Sequence, residues 1–198
     1  MPRAPHHNLT VPEHKRLRTE AEQQVMAELA KIARPDDRFK RACEIVQQAD
    51  LEIAAHVDER NQAAMSLWFY EGVRGLNNVL GITPNAYVEL RRRALHQDTS
   101  AKLTVDDERM TAEERRQAAR DAKIPEIKDA ADRLPSLSAT VSVATARRKA
   151  ALPILQDTAL VLFEEPYGWT TERLGEVGGF SAKYARDAKN AAKRRRGH

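Results

Sequence analysis

The stretch LGEVGGFSAKYARDA, Leu174 to Ala188, constrains this chain more than any other. Two short helices can cross closely only where a small residue lies at the contact, and a tight turn between them favours a residue at ease with positive φ. Gly175 meets the first requirement and Gly179 the second. Phe180 follows the turn and is expected to plug the core, while Ser181 can accept a hydrogen bond from a backbone N–H near Tyr184 and start the next helix. The spacing predicts a helix-turn-helix.

The residues outward on the second of these helices are chemically one-sided. Lys183, Arg186 and Asn190 are of the types that reach base edges, and Lys189 and Lys193 of the type that reaches phosphates. From Lys183 to the end of the chain, Arg194, Arg195 and Arg196 extend the positive charge against the single acid Asp187. The formal net charge is only +4, because 29 acids nearly offset 33 bases, so distribution matters more than the sum. Double-stranded DNA is the expected partner, with Ser181 placing the helix and the Lys-Arg tail acting as a phosphate-contacting arm.

A second copy of the pattern lies upstream in LNNVLGITPNAYVELRRRA, Leu76 to Ala94. Gly81 matches Gly179, Ile82 matches Phe180 and Thr83 matches Ser181; Pro84 suits the first helical turn, where a missing N–H costs nothing. Tyr87 and Leu90 are expected to face inward, leaving Asn85, Val88, Glu89 and Arg92 outward. Thr83, Asn85 and Arg92 are the DNA-contact candidates here. Asn77 stands where a small residue is expected, and Glu89 places an acid on the outer face, so this copy is the weaker reader of bases.

Each copy follows a long helical run. From Arg38 through Phe69, Phe39, Cys43, Val46, Ala49, Ile53, Val57, Ala64 and Leu67 recur at near-heptad spacing. Such a stripe must be covered, by the N-terminal helix around Val25 and Leu29, by the second module, or by a second chain; two-fold DNA sites favour a homodimer. The other run, about Thr145 to Phe163, places Leu152, Leu155, Ala159, Leu162 and Phe163 on one side, with Leu160 and Val161 broadening it and Pro153 expected to kink it or mark its beginning.

This unit resembles a DNA-binding module of actinobacterial regulators and phage or plasmid proteins, in which a long Ala- and Arg-rich helix leads into a helix pair like that of sigma-factor region four. The resemblance rests on Glu59, Arg60, Ala63 and Ala64 followed by Gly81-Ile82-Thr83, and on Arg147, Arg148, Ala150 and Ala151 followed by Gly168-Trp169-Thr170 and Leu174 to Ala188. It covers about half the chain. The resemblance implies a sequence-specific transcriptional regulator or a phage or plasmid control protein. A helical adaptor docking on RNA polymerase, as a sigma-like domain does, is the alternative, favoured if the segment from Gln97 to Ser142 buries the first module's outward helix.

Abundant Ala, Glu, Arg, Lys and Leu with no convincing alternation predict an all-α fold of two helix-turn-helix modules, each preceded by a long amphipathic helix. Residues 1–10 are expected to be disordered, 11–97 to form the first module, 98–142 a charged helical linker and 143–198 the second module with its basic tail. Val25, Met26, Leu29 and Ile32 should share one face of a helix over 12–33, which Arg34-Pro35-Asp36-Asp37 ends. Within the linker Thr111 and Glu114 form a capping box for a helix to Lys123, and Pro125, Pro135 and the segment SLSATVS break up the rest. Trp68, Phe69 and Trp169 are expected as core or turn anchors rather than base-stacking residues. The single cysteine, Cys43, falls on an apolar face and suits a reducing, cytoplasmic, nucleoid-associated setting. No apolar run approaches a membrane span. Without a phosphate-binding glycine loop, metal-ligand spacing or nucleophile elbow, neither catalysis nor a metal or other cofactor is expected.

Overall fold

Every regular element is helical among residues 9–96 and 109–197, which the computed structural model describes. The helices are α1 (His14–Ala30), α2 (Pro35–Ser66), α3 (Leu76–Leu80), α4 (Pro84–His96), α5 (Ala112–Asp121), α6 (Ala130–Phe163), α7 (Thr171–Gly178) and α8 (Ala182–Arg195), and a π-helical turn, Leu67–Glu71, extends α2. The fold is all-α. No described helix is long and apolar enough to cross a membrane.

The chain forms two compact units, one from the residues up to His14 with Ala54–Ser142, the other from Lys15–Ile53 with Val143–His198. These segments differ from the modules expected from sequence. The chain passes between units inside α2 and inside α6, so each long helix contributes one half to each core.

In the unit containing α8, the core joins Val25 and Leu29 of α1, Phe39, Ala42, Cys43, Ile45 and Val46 of α2, and Ala151, Leu155, Ala159 and Leu162 of α6 to Leu174, Ala185 and Ala188. Proline at the first position of α2 is pre-set for a helix, and Asp36 and Asp37 complement the positive end of its dipole. Arg34 ion-pairs with Asp36 at 2.5 Å and holds its carboxyl below the usual range. Arg38 donates to Ile32 O at 2.8 and 2.6 Å, satisfying a carbonyl just beyond α1. The buried face of α1 is Ala21, Val25 and Leu29; Met26, expected on it, lies one position off and is exposed. Burial pushes the Cys43 thiol up to about 12, which leaves it a protonated core residue.

The other unit gathers Ala63, Ala64 and Met65 of α2, Leu67, Trp68 and Phe69 of the π turn, Leu76, Val79 and Leu80 of α3, Tyr87 of α4, Ala119 of α5 and Ala130 and Leu134 of α6. Ser66 Oγ accepts from Ile127 N at 2.8 Å, and Tyr70 Oη donates to Ile124 O at 2.9 Å. His14 Nε2 bonds Val79 O at 2.9 Å while Nδ1 pairs with Ser142 Oγ at 2.8 Å, anchoring the end of α3. Trp68 and Phe69 are buried core anchors, as their size predicts. The capping box of α5 is present: Glu114 N donates to Thr111 Oγ1 at 3.3 Å and Thr111 N to the Glu114 carboxylate at 2.7 Å. Thr111→Ala should cost about 1 kcal/mol, read by urea denaturation of the full chain; no change would mean that α5 contributes nothing to the cooperative unit.

One sequence expectation is corrected here. The segment SLSATVS is not a linker: α6 starts at Ala130 and runs through Pro135 and Pro153, with Leu134, Ser138, Val141 and Ser142 buried. Leu160 and Leu162, about 200° apart around a helix, are both fully buried, so the apolar side of α6 is broad near its end, as Leu160 leads one to expect. The stripe on α2 is covered by the chain itself over Phe39–Ala49 and Ala63–Leu67, leaving only Ile53 and Val57 half-buried between. What remains of the stripe for a second chain to cover is confined to Ile53 and Val57.

Candidate nucleic-acid interface

The close approach at Gly175 is built from backbone. A Cβ added there would lie 2.7 Å from Phe180 O and 3.1 Å from Ala182 N, so a side chain would force α7 away from the start of α8. Gly179 adopts the left-handed conformation, φ 71° and ψ 31°, and Phe180 N donates to Gly175 O at 2.9 Å, the six-to-one bond of a Schellman motif. Tyr184 N donates to Ser181 Oγ at 3.2 Å, the predicted N-cap of α8. Gly175→Ala should destabilise by about 1 to 2 kcal/mol although alanine is the better helix former, because the overlap is with backbone that cannot rotate away. Denaturant titration checks this; a stabilised protein would show that the crossing relaxes freely.

The turn is then fixed against α2. Phe180 meets Phe39 edge-on, ring centroids 6.2 Å apart at 84°, and contacts Tyr184 at 4.6 Å. Gln47 Nε2 donates to Gly178 O at 2.7 Å, holding the end of α7. Sequence reading missed Gln47; its only signal is a polar residue beside the apolar stripe. Trp169 is a buried anchor with Arg173 stacked 4.2 Å above it.

With Ala185, Ala188 and Ala192 buried, the opposite side of α8 faces solvent. Ser181, Lys183, Arg186 and Arg194 are exposed and Asn190 is half-exposed, one stripe at helical spacing that also carries Asp187. Lys189 turns the other way: its Nζ lies 3.4 Å above the Phe163 ring, and burial, then repulsion from Lys193 and Arg186, lowers its pKa. Lys193 stands 5.9 Å from the same ring. The basic tail is not a free arm, for α8 is helical to Arg195, and Arg195 is held by Asp157 at 2.8 Å, by Gln156 and by Pro153 O. Arg195, expected as a phosphate contact, is tied to α6 in this structure. Arg196 is exposed just beyond the helix.

The upstream copy repeats the local geometry. Gly81 is left-handed at φ 65° and ψ 33°, Ile82 N donates to Asn77 O at 3.1 Å, and Ala86 N donates to Thr83 Oγ1 at 3.2 Å. A Cβ on Gly81 would meet the His14 ring at 2.6 Å. The face of α4 differs from expectation: Asn85, Glu89 and Arg93 are exposed, whereas Arg92 is half-buried with Nε enclosed and unpaired. Arg91 is only 3 % exposed, its guanidinium 4.7 Å from the Trp68 ring and 4.9 Å from the Tyr87 ring. Of the three consecutive arginines, Arg93 is the exposed one.

No family model, curated protein or solved structure matches the chain, so geometry carries the functional argument.

Proposed function

We propose that the chain is a sequence-specific double-stranded DNA-binding protein, a transcriptional regulator or phage or plasmid control protein, in which α7 and α8 work as a helix-turn-helix. The observation that carries this reading is the exposed stripe Lys183, Arg186, Asn190 and Arg194 on a helix whose entry angle is set by Gly175, Gly179 and the Ser181 cap. A helix presented in this way fits the major groove, with its N-terminal residues nearest the base edges. The α3–α4 pair has the same turn and a less basic face, which suits it to a supporting contact through Thr83 and Asn85.

Selection of bound fragments from random duplex DNA, followed by gel shift on the enriched site, tests the proposal. An enriched motif with strong salt dependence is expected; recovery of unenriched sequence would overturn specific recognition. On the selected site, Arg194→Ala and Arg196→Ala should each lower the slope of log affinity against log salt by about 1. Arg195→Ala should leave that slope unchanged, because Arg195 is already committed to Asp157. Equal effects from all three would return Arg195 to the phosphate contacts.

The adaptor reading, with the α4 face buried by the 97–142 segment, finds no support from the described part of that segment. Asn85, Glu89 and Arg93 are exposed, and α5 lies instead against the π turn, where Arg116 donates to Tyr70 O at 3.1 Å.

A further inference from the structure

Asp187 is the acid of α8, and helix stability does not account for it. At about 100° per residue, it lies roughly 50° from the centre of the face opposite Ala185, Ala188 and Ala192, about as close to that centre as Arg186 is on the other side. Its side chain is exposed, as are those of Lys183 and Arg186, so it fills no core. It stands in the second turn of α8, past the positions where an acid caps a helix or complements its dipole. Among the described residues it forms an ion pair with neither Lys183, one turn before it, nor Arg186. Aspartate is also a poorer helix former than the alanines around it.

On a face that meets DNA, a carboxylate selects by what it refuses. It only accepts hydrogen bonds, and phosphates repel it whatever the sequence, so it lowers the general attraction that Lys183, Arg186 and Arg194 create. In the major groove it also opposes the acceptors N7 and O6 of guanine and O4 of thymine, and at adenine the amino donor stands beside the acceptor N7. Cytosine presents its N4 amino donor with no acceptor of its own beside it in that groove. We propose that Asp187 is a specificity-determining residue that accepts a hydrogen bond from cytosine N4, so that the DNA site of α8 carries a C·G pair where Asp187 faces it. This inference rests on the reading of α7 and α8 as a DNA-binding helix-turn-helix. The neighbouring cations supply the attraction, and Asp187 supplies the penalty on a wrong base.

Selection of bound fragments from random duplex DNA, run in parallel on the full-length parent, Asp187→Ala and Asp187→Asn, tests it, with gel shift on the enriched site and on random duplex. The parent should enrich a motif containing a strongly preferred cytosine. Asp187→Ala should enrich the same motif with that one position degenerate, its preference for cytosine falling from about tenfold to within about twofold, and should bind random duplex about two- to fivefold more tightly. Asp187→Asn, similar in shape but able to donate as well as accept, should move the preference at that position to adenine. Both variants should keep the parent's unfolding midpoint, because the side chain is exposed. A motif left unchanged by both substitutions overturns the assignment while the DNA reading stands, even if Asp187→Ala binds every sequence more tightly. A position that loses its preference but holds a base other than cytosine in the parent overturns it too, as does an unfolded Asp187→Ala beside an Asp187→Asn that keeps the parent's motif. A parent that enriches no motif overturns the DNA reading itself, and this inference with it.

Discussion

Phe39→Ala should lower the unfolding free energy by about 3 to 5 kcal/mol, the largest single effect expected in the chain. Phe39 is fully buried, and its ring is the surface on which Phe180 rests, so truncation both removes buried apolar area and opens a cavity beneath the α7–α8 turn. The denaturation midpoint should fall with little change in slope, since the native state stays folded with a hole in it. Met26→Ala is the control: Met26 is 52 % exposed, and its loss should stay within about 0.5 kcal/mol. A Phe39→Ala protein as stable as the Met26→Ala protein would mean that the turn is not supported by α2.

Arg186→Ala should weaken binding to the selected DNA site by about 1 to 3 kcal/mol, roughly 5- to 150-fold, if its guanidinium pairs with a base edge. Arg186 stands in the exposed stripe of α8; the Glu172 carboxyl of α7 is held below its usual range chiefly by its own backbone N–H and by the Thr170 and Thr171 hydroxyls, and least by Arg186. An exposed guanidinium would reach a base edge without first breaking a buried pair. Loss should be largest on the selected site and small on random duplex, which separates base reading from phosphate attraction. Equal loss on both would reassign Arg186 to the backbone, and wild-type affinity on both would remove it from the interface.

The local features were legible because they depend on chemistry within a few residues. Gly179 and Gly81 supply positive φ, Ser181, Thr83 and Thr111 supply a side-chain oxygen to a free N–H, and Pro35 begins a helix, all without reference to distant parts of the chain. The outward position of Lys183 and Arg186 followed from the helical repeat once Ala185 and Ala188 were placed inside.

What lies against each face could not be read in this way. Periodicity marked the α2 stripe as needing a cover, yet only packing shows that α1, α6 and the α7–α8 pair cover its first half and that the π turn and α3 belong to the core around its last turns. A proline inside a helix costs about 3 kcal/mol, which locally argues for a break. Burial of Leu134, Leu155 and Leu162, worth roughly 1.5 to 3 kcal/mol per large side chain, outweighs that cost and keeps α6 continuous through Pro135 and Pro153. The same tertiary contacts sorted like from like among the arginines: Arg91 went between two aromatic rings, Arg93 to solvent, and Arg195 onto Asp157. Sequence by itself determined the helical class, the glycine turns and their caps, because these are local. Tertiary structure alone decided which half of each long helix joins which core and which cations stay free, because burial and pairing depend on residues far apart in the chain.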